Sequence, residues 1–241
     1  MFKFKHFNIE DKNAAMKVGT DAVLLGAWVK ISDSYSSILD VGAGTGVIAL
    51  QMAQRSNAEQ IDAEQIDAVE VDGDAYEQTV ENFENSDWGD RLFCYHASFI
   101  QLVEELEGDE FYDLIICNPP FFSEDYKSNT SQRDQARFQD ALPFQDLISG
   151  VSKLLSPNGQ FSVIIPFSEE QKFIEIAKEH NLYPQHITRV KGHATAPIKR
   201  SLLSLNSKNV EVIEDELIIE ISRHNYTDAY KNLVKDFYLK L

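Results

Sequence analysis

Residues 39–50 read LDVGAGTGVIAL, an apolar run followed by glycines at alternate positions and then by a second apolar stretch. The first part has the composition of a buried strand, and the second part has the character of a helix. Glycines between a strand and a helix let the backbone pass close to a ligand, and the first amides of a helix are free to bind one. The stretch therefore predicts a strand–turn–helix unit with a ligand at its turn.

The spacing of Gly42, Gly44 and Gly46 argues against two common ligands. Dinucleotide-binding turns use G-x-G-x-x-G, and phosphate-binding loops continue into Lys followed by Ser or Thr. Asp40, at the end of the strand, would repel a phosphate and suits a positively charged ligand. The alternative for these glycines is a structural turn without a ligand.

Further apolar runs on both sides of this unit predict a sheet, and helix-like patterns separate the early runs. The predicted strands are residues 36–42, 66–72, 91–96, 112–118, 160–167, 200–206 and 215–222. Alternating strands and helices favour parallel βαβ units, whereas the short segment between the last two strands favours an antiparallel hairpin. We expect an α/β fold with a doubly wound, mostly parallel seven-stranded sheet and an antiparallel last strand. We expect a single domain, with residues 1–35 as a cap on 36–241.

The charge of the chain is distributed unevenly. The formal net charge is −17, but residues 59–113 hold 18 of the 39 acidic residues and only Arg91 among the 22 basic ones. Residues 181–210 contain five basic residues and no acidic one. A polarised molecule is therefore expected, and the overall acidity does not exclude a nucleic-acid partner on its basic side.

The acidic residues at the end of IDAVEVD (66–72) are candidates for a second ligand contact. An acid at the end of the second strand of such a fold can accept hydrogen bonds from both hydroxyls of a ribose. Register favours Glu70, with Asp72 as the neighbouring alternative. A solvated acid in an acidic region is the alternative for both.

The stretch CNPPFF (117–122) ends the fourth strand at the edge where ligands bind. Prolines at 119 and 120 remove backbone donors, so carbonyl oxygens dominate locally. The amide oxygen of Asn118 and the carbonyl of Pro119 would match the two hydrogens of an exocyclic amine. Phe121 could stack on a base, and Phe122 is the alternative for that role.

These motifs together resemble class I S-adenosylmethionine-dependent methyltransferases that act on planar amino nitrogens. AMKVGTDAVLLGAW (15–28), LDVGAGTGVIALQMAQR, IDAVEVD, ENSDWGDRL, CNPPFF and QRDQARF, in this order, resemble the bacterial tRNA adenine-N6 methyltransferases. That family modifies adenosine 37 of a valine tRNA. The resemblance implies S-adenosylmethionine as the cofactor and tRNA as the substrate.

The resemblance also implies roles for individual residues in holding the cofactor. Gly42 and Gly44, with Gly46 beside them, would support its methionine part, Asp40 would lie near its amino group and sulfonium, and Glu70 would hold its ribose. Such enzymes usually carry an acid after the third strand that contacts the adenine amine of the cofactor. This chain has Ser98 there, in YHASF, and its hydroxyl would accept the same hydrogen bond less strongly.

Other roles that the resemblance implies concern closure and the substrate. Thr20 and Asp21 would close over the cofactor. Asn118, Pro119 and Phe121 would bind the target base. We further expect phosphate contacts, as an alternative to ordinary surface charge, for four basic residues: Arg133, Arg137, Lys199 and Arg200.

Alternative functions remain that share the cofactor but differ in the substrate or in catalysis. Guanine-N2 methyltransferases of ribosomal RNA and glutamine-N5 methyltransferases of release factors share the Asn-Pro-Pro-aromatic tetrad, and a non-catalytic S-adenosylmethionine-binding RNA scaffold is a third possibility. The histidines and the two cysteines show no metal-ligand spacing, so no metal is expected. No apolar run is long enough for a membrane span. We expect a cytoplasmic protein with reduced cysteines, and a monomer, since no dimer interface is evident.

Overall fold

The computed structural model describes residues 1–12, 17–58, 65–108, 111–120 and 142–240. Its helices are α1 (Thr20–Trp28), α2 (Val47–Ala58), α3 (Gly73–Glu84), α4 (Phe99–Leu106), α5 (Phe144–Leu154), α6 (Glu170–Glu179) and α7 (Asp228–Val234). Its strands are β1 (Phe2–Lys3), β2 (Asn8–Ile9), β3 (Ser37–Val41), β4 (Gln65–Glu70), β5 (Leu92–His96), β6 (Tyr112–Cys117), β7 (Leu155–Pro166), β8 (Tyr183–His193), β9 (Ile198–Asn206), β10 (Ile213–Ser222) and β11 (Asn225–Tyr226). A 3₁₀ turn, Phe167–Glu169, follows β7.

One large sheet, with strand order β11-β10-β8-β9-β7-β6-β3-β4-β5, forms the centre of the described structure. Strands β3 to β7 are parallel to one another, and β9 runs antiparallel between β7 and β8. The expected α/β class, with a mostly parallel sheet and antiparallel strands towards its C-terminal side, is confirmed. The parallel strands end at one edge of the sheet, which we call the carboxyl edge.

Helices cover both faces of the sheet, and successive side chains of its strands point to opposite faces. On β3, Ile38 belongs to a core cluster shared with α1, α2 and α7, whereas Leu39 belongs to the cluster shared with α4, α5 and α6. Both side chains are fully buried. This double burial explains why the central strands read as continuous apolar runs.

The number of strands and the predicted closing hairpin were wrong. The sheet has nine strands in the described residues, and β8 was missed because YPQHITRVKGH is mostly polar, lacks a continuous apolar run and contains Pro184. Strand β9 pairs with β7 and β8, so neither of its edges is free for β10. β10 instead pairs in parallel with β8, placing Leu217 beside Val190. The six residues 207–212 step over one strand, about 10 Å, which is well within their reach.

The N-terminal segment packs on the α1 face of the sheet. Phe4, Phe7 and Ile9 are buried in the same cluster as α2, and Phe7 contacts Trp88 with ring centroids 6.2 Å apart. Within the described residues, no helix combines the length and apolar character needed to cross a membrane.

Candidate functional site

The predicted site residues of three adjacent strands leave the sheet at the same level of the carboxyl edge. Val41 of β3 aligns with Val69 of β4 on one side and with Cys117 of β6 on the other. The residues that come next are Gly42, Glu70 and Asn118. Adjacent strands lie about 4.8 Å apart, so Glu70 and Asn118 flank the glycine turn at a backbone separation of about 10 Å.

The glycines of the turn after β3 serve two different purposes. Gly42, Gly44 and Gly46 all have positive φ, at 73°, 61° and 74°. A Cβ added at Gly46 would lie 2.6 Å from Cε1 of Phe83, so Gly46 is required for close packing against α3. A Cβ at Gly42 or Gly44 would meet nothing described within 4 Å. The backbone at 42 and 44 therefore borders open space that a ligand could fill.

Asp40 lies beneath this turn with an unsatisfied carboxyl oxygen. Its side chain is 1% exposed, and its Oδ2 accepts a hydrogen bond of 3.1 Å from the Ala49 N–H in α2. Its Oδ1 accepts no hydrogen bond from the described residues. Burial raises the pKa of Asp40 to about 7, the Ala49 N–H opposes that rise, and the charge of Glu70 adds to it. A ligand that brings a positive charge would stabilise the ionised carboxylate.

Glu70 joins the glycine turn to the loop after β4. Its Oε2 accepts a hydrogen bond of 2.8 Å from the Gly44 N–H, and its Oε1 accepts one of 2.9 Å from the Asp72 N–H. Asp72, the alternative candidate, caps α3 by accepting a hydrogen bond of 2.8 Å from the Ala75 N–H. Glu70 is thus the acid that faces the turn, and each of its oxygens retains a further lone pair for a ligand hydroxyl.

A second set of residues, on α3, holds the carbonyl groups of the glycine turn and was missed from the sequence. Thr79 donates a hydrogen bond of 2.9 Å to the Gly44 carbonyl. Asn82 donates from Nδ2 to the carbonyls of Thr45 and Glu10, both at 2.9 Å. Thr79 and Asn82 are three residues apart on the buried face of α3. Polar residues at helical spacing on the same face as apolar Ala75 and Phe83 are the signal that could have identified them.

The turn after β6 places Asn118 half-buried, Pro119 buried and Pro120 exposed. If the register between β6 and β7 continues, Pro120 comes level with Pro166 at the end of β7. The predicted base-stacking residue Phe121 lies outside the described residues, as do Phe122, Arg133 and Arg137. The site described here therefore comprises the acceptors of the tetrad but not its aromatic face.

Ser98, predicted in place of the usual acid after the third strand, caps helix α4. Its hydroxyl accepts a hydrogen bond of 3.2 Å from the Gln101 N–H and donates one of 3.0 Å to Gln101 Oε1, while its own N–H donates to the same oxygen at 3.0 Å. This reciprocal arrangement is a capping box. The hydroxyl keeps one lone pair, so a contact with an amino group of the cofactor stays a prediction.

One predicted closing residue and one predicted RNA-binding residue, Asp21 and Arg200, meet at the carboxyl edge. Asp21, in the first turn of α1, accepts a hydrogen bond of 2.7 Å from Nε of Arg200. Arg200 lies beside Pro166 because β9 runs antiparallel to β7. Lys199 precedes it with an exposed side chain, and Thr20 is exposed at the start of α1. Among the described residues, no group of His, Cys, Asp and Glu could hold a metal ion.

Comparison with known proteins gives related results for the sequence and for the structure. The family model "Methyltransferase small domain" matches residues 16–175. A tRNA1(Val) (adenine(37)-N6)-methyltransferase of Christiangramia forsetii is 62% identical over 100% of this chain and 98% of its own length. A protein of the same name from Flavobacterium johnsoniae is 57% identical over 100% of both chains.

Among solved structures, a predicted O-methyltransferase of Agrobacterium tumefaciens superposes with a TM-score of 0.67 at 20% identity. The match covers 90% of this chain and 96% of that one. At this identity the likeness establishes the fold alone.

Proposed function

Because this chain belongs to the tRNA1(Val) (adenine(37)-N6)-methyltransferase family, we propose that it transfers a methyl group from S-adenosylmethionine to the N6 amine of adenosine 37 in a valine tRNA. The family resemblance read from the sequence is thereby confirmed. The observation that carries the proposal is the alignment of Gly42, Glu70 and Asn118 at one edge of the sheet. Residues that would hold the cofactor and a residue that would accept a hydrogen bond from an amine are neighbours at that edge.

The residues present fit S-adenosylmethionine. Oδ1 of buried Asp40 accepts no hydrogen bond from the described residues. The positively charged amino group or sulfonium of the cofactor would lie beside this oxygen and stabilise the ionised carboxylate. Its methionine part would occupy the open space beside Gly42 and Gly44. Its ribose hydroxyls would donate to Glu70, whose two oxygens already accept backbone N–H groups and are held in place by them.

The acceptors at Asn118 and Pro119 would act on the target amine. The lone pair of an adenine amine is delocalised into the ring, which makes that amine a poor nucleophile. Hydrogen bonds from its two hydrogens to the Asn118 side-chain oxygen and the Pro119 carbonyl would strengthen as positive charge develops on nitrogen, and this difference accelerates the reaction. When bound, S-adenosylmethionine would supply the methyl group on a positively charged sulfur. The methylated nitrogen is acidic and can lose its proton to water afterwards.

The basic half of the carboxyl edge would receive the RNA. Lys199 and Arg200 lie on β9, on the side of Asn118 away from the acidic residues of β4 and α3, so phosphates are favoured there. The target base must leave its loop stack to reach Asn118, and Phe121 would stack on it as part of the proposal. Arg133 and Arg137 stay predictions of phosphate contact.

The compartment and the oligomeric state belong to the same proposal. A cytoplasmic protein would keep its cysteines reduced, and Cys94 and Cys117 are free thiols. Burial raises the pKa of both, that of Cys94 to about 12, so both are poorly reactive. We expect the enzyme to act as a monomer.

A methyl-transfer assay tests the function. The protein is incubated with labelled S-adenosylmethionine and, separately, with unmodified bulk tRNA or ribosomal RNA, and the product nucleosides are separated by chromatography. N6-methyladenosine in tRNA alone is the expected product. N2-methylguanosine in ribosomal RNA would mean that ribosomal RNA, and not tRNA, is the substrate. A protein that binds the cofactor but methylates neither RNA would favour a protein substrate or a non-catalytic scaffold.

A further inference from the structure

A cavity of about 430 Å³ lies at the carboxyl edge, apart from the glycine turn and from Asn118. We call it the aromatic groove and define it by its ring-bearing and cationic lining residues, Phe2, Tyr226, Tyr230, Tyr238 and Lys240. Neither Asp40, Glu70 nor Asn118 lines it. Its volume falls in the range of small-molecule sites.

The walls of the groove combine aromatic faces with neutral hydroxyl groups. The rings of Phe2 and Tyr238 meet edge to face with centroids 6.2 Å apart, and the rings of Tyr226 and Tyr230 lie 5.2 Å apart. Burial is the main cause that raises the pKa values of Tyr230 and Tyr238, so both hydroxyls are neutral at physiological pH. Phe2, Tyr226 and Tyr238 are half-buried, which leaves part of each ring open to a ligand.

The groove lies on the same edge of the sheet as the turn after β6 that holds Asn118. Its floor includes Gly192 at the end of β8 and Glu220 at the end of β10. The strand order from β6 runs β7, β9, β8, β10, so these ends are three and four strands from Asn118. At about 4.8 Å per strand the lateral separation is about 14–19 Å, and the register places these ends four to five residues further along the strands than Asn118. At about 3.3 Å per residue the total separation is about 20–25 Å, which a few nucleotides of an extended loop can span.

The distribution of charge directs RNA over the groove. The described acidic residues between 65 and 107 lie on the β4, α3 and α4 side of the sheet, where phosphates are repelled. On the other side, Lys240 lines the groove, and Thr20 connects it to the Asp21–Arg200 pair. One acid, Glu220, also lines it, and its Oε1 accepts a hydrogen bond of 3.2 Å from the His224 N–H.

We propose that the aromatic groove binds an unpaired nucleobase of the RNA substrate, a few nucleotides from the methylated base in the same loop. This inference rests on the proposed function and adds a second anchoring point for its substrate. The base stacks on Tyr226 or Tyr238, because aromatic faces bind any base through its π-face. Lys240 neutralises an adjacent phosphate.

The test measures binding of an anticodon stem-loop RNA to Tyr226→Leu and Lys240→Ala proteins. We expect Tyr226→Leu to raise the Kd for RNA by about fivefold to a hundredfold, while the Kd for S-adenosylmethionine stays that of the wild type. Lys240→Ala, which changes an exposed side chain, should reduce the salt dependence of RNA binding by about one phosphate contact. Matched controls are Tyr183→Leu at the opposite end of β8 and Lys30→Ala after α1, and both should bind RNA normally.

Abasic nucleotides, scanned one at a time through the loop, identify the base. At one position the abasic loss and the Tyr226→Leu loss should fail to add, since both remove the same stack. Additive losses at every position, or RNA affinities equal to that of the wild type, would overturn the groove proposal while leaving tRNA methylation intact. A wild-type protein that neither binds nor methylates tRNA would overturn the proposed function together with it. A changed affinity for the cofactor would instead assign the groove to the cofactor site.

Discussion

The carboxylate of Asp21 binds the guanidinium of Arg200 across the carboxyl edge, with Oδ2 and Nε 2.7 Å apart. The two side chains are 31% and 35% exposed, so the pair contributes little to stability. Its position matters more, because Asp21 partly neutralises an arginine proposed to meet phosphate.

The Asp21–Arg200 pair therefore predicts that Asp21→Asn tightens RNA binding at low salt. The free energy of unfolding should change by less than about 1 kcal/mol. The measurement is the Kd for tRNA as a function of salt, compared with Asp33→Asn, which removes the same charge from an exposed position before β3, at the opposite edge. Equal effects of the two variants would mean that net charge alone governs the binding.

Substitutions of two turn glycines should have different effects, one on the stability of the fold and the other on cofactor binding. Gly46→Ala should lower the melting temperature markedly, because its Cβ would lie 2.6 Å from the Phe83 ring and its φ is 74°. Gly44→Ala carries a similar backbone cost of about 1–2 kcal/mol at its positive φ. Its Cβ meets no described atom within 4 Å, so its larger effect should be weaker S-adenosylmethionine binding. Calorimetry of unfolding and of cofactor binding distinguishes the two. Wild-type cofactor affinity in folded Gly44→Ala would contradict the proposal that the cofactor lies against the backbone of Gly42 and Gly44.

Asp40 predicts a pH dependence. Burial raises its pKa to about 7 from an ordinary value of 3.8. The folded protein therefore holds this proton more tightly than the unfolded chain, so its contribution to stability falls as pH rises from about 4 to about 7 and is constant above. Asp40→Asn should remove this slope. Cofactor affinity should rise with pH over the upper part of that window in the wild type, and stay low and flat in the variant.

Asp113 serves as the control with the opposite sign. Burial alone would raise its pKa, but hydrogen bonds from Ser36, Ser156 and Ser37 outweigh that effect and lower it. Its contribution to stability is therefore present above about pH 4 and is lost only in stronger acid. Asp113→Asn should destabilise the protein at neutral pH and leave the pH dependence of cofactor binding unchanged. Urea unfolding at several pH values measures both variants.

Asn118 predicts a loss of turnover without a loss of cofactor. Asn118→Ala should reduce kcat by about a hundredfold or more, equivalent to about 3 kcal/mol, by comparison with removal of one oxyanion-hole donor. Asn118→Asp keeps an acceptor oxygen and should lose less. Single-turnover methylation of tRNA, with the Kd for S-adenosylmethionine measured alongside, separates chemistry from binding. Retained turnover in Asn118→Ala would remove this residue from the mechanism.

The parts of the fold that could be predicted are those in which one local pattern determines the outcome. The run before Gly42 is apolar because β3 is buried on both faces, and the acceptors at Asn118 follow a strand of the same kind. Strand β8 has one half-polar face, with Arg189 bound to Glu170 and Glu214, so its pattern resembled a basic surface segment. Pairing partners such as β8 and β10 depend on which strand edges are free, and local sequence does not encode that.

Site residues, too, could be predicted only where the local sequence marks them. Asp40 and Glu70 stand out because acids at strand ends are unusual in an apolar context. Asn82 was missed because its role depends on Glu10 and Thr45, which are distant in the sequence and are joined to it only by folding. The pairing of Asp21 with Arg200 was missed for the same reason.

The reversed direction of β9 has a consequence for how this protein could diverge. Its neighbours β7 and β8 fix its register through buried residues such as Leu203, whereas the connecting residues 194–197 stand clear of the sheet at the carboxyl edge. Changes in the length or charge of that turn alter what approaches Arg200 without disturbing β3 or β6. If Arg200 meets RNA as proposed, selection can change which RNA loops are accepted while β3 and β6 are inherited unchanged.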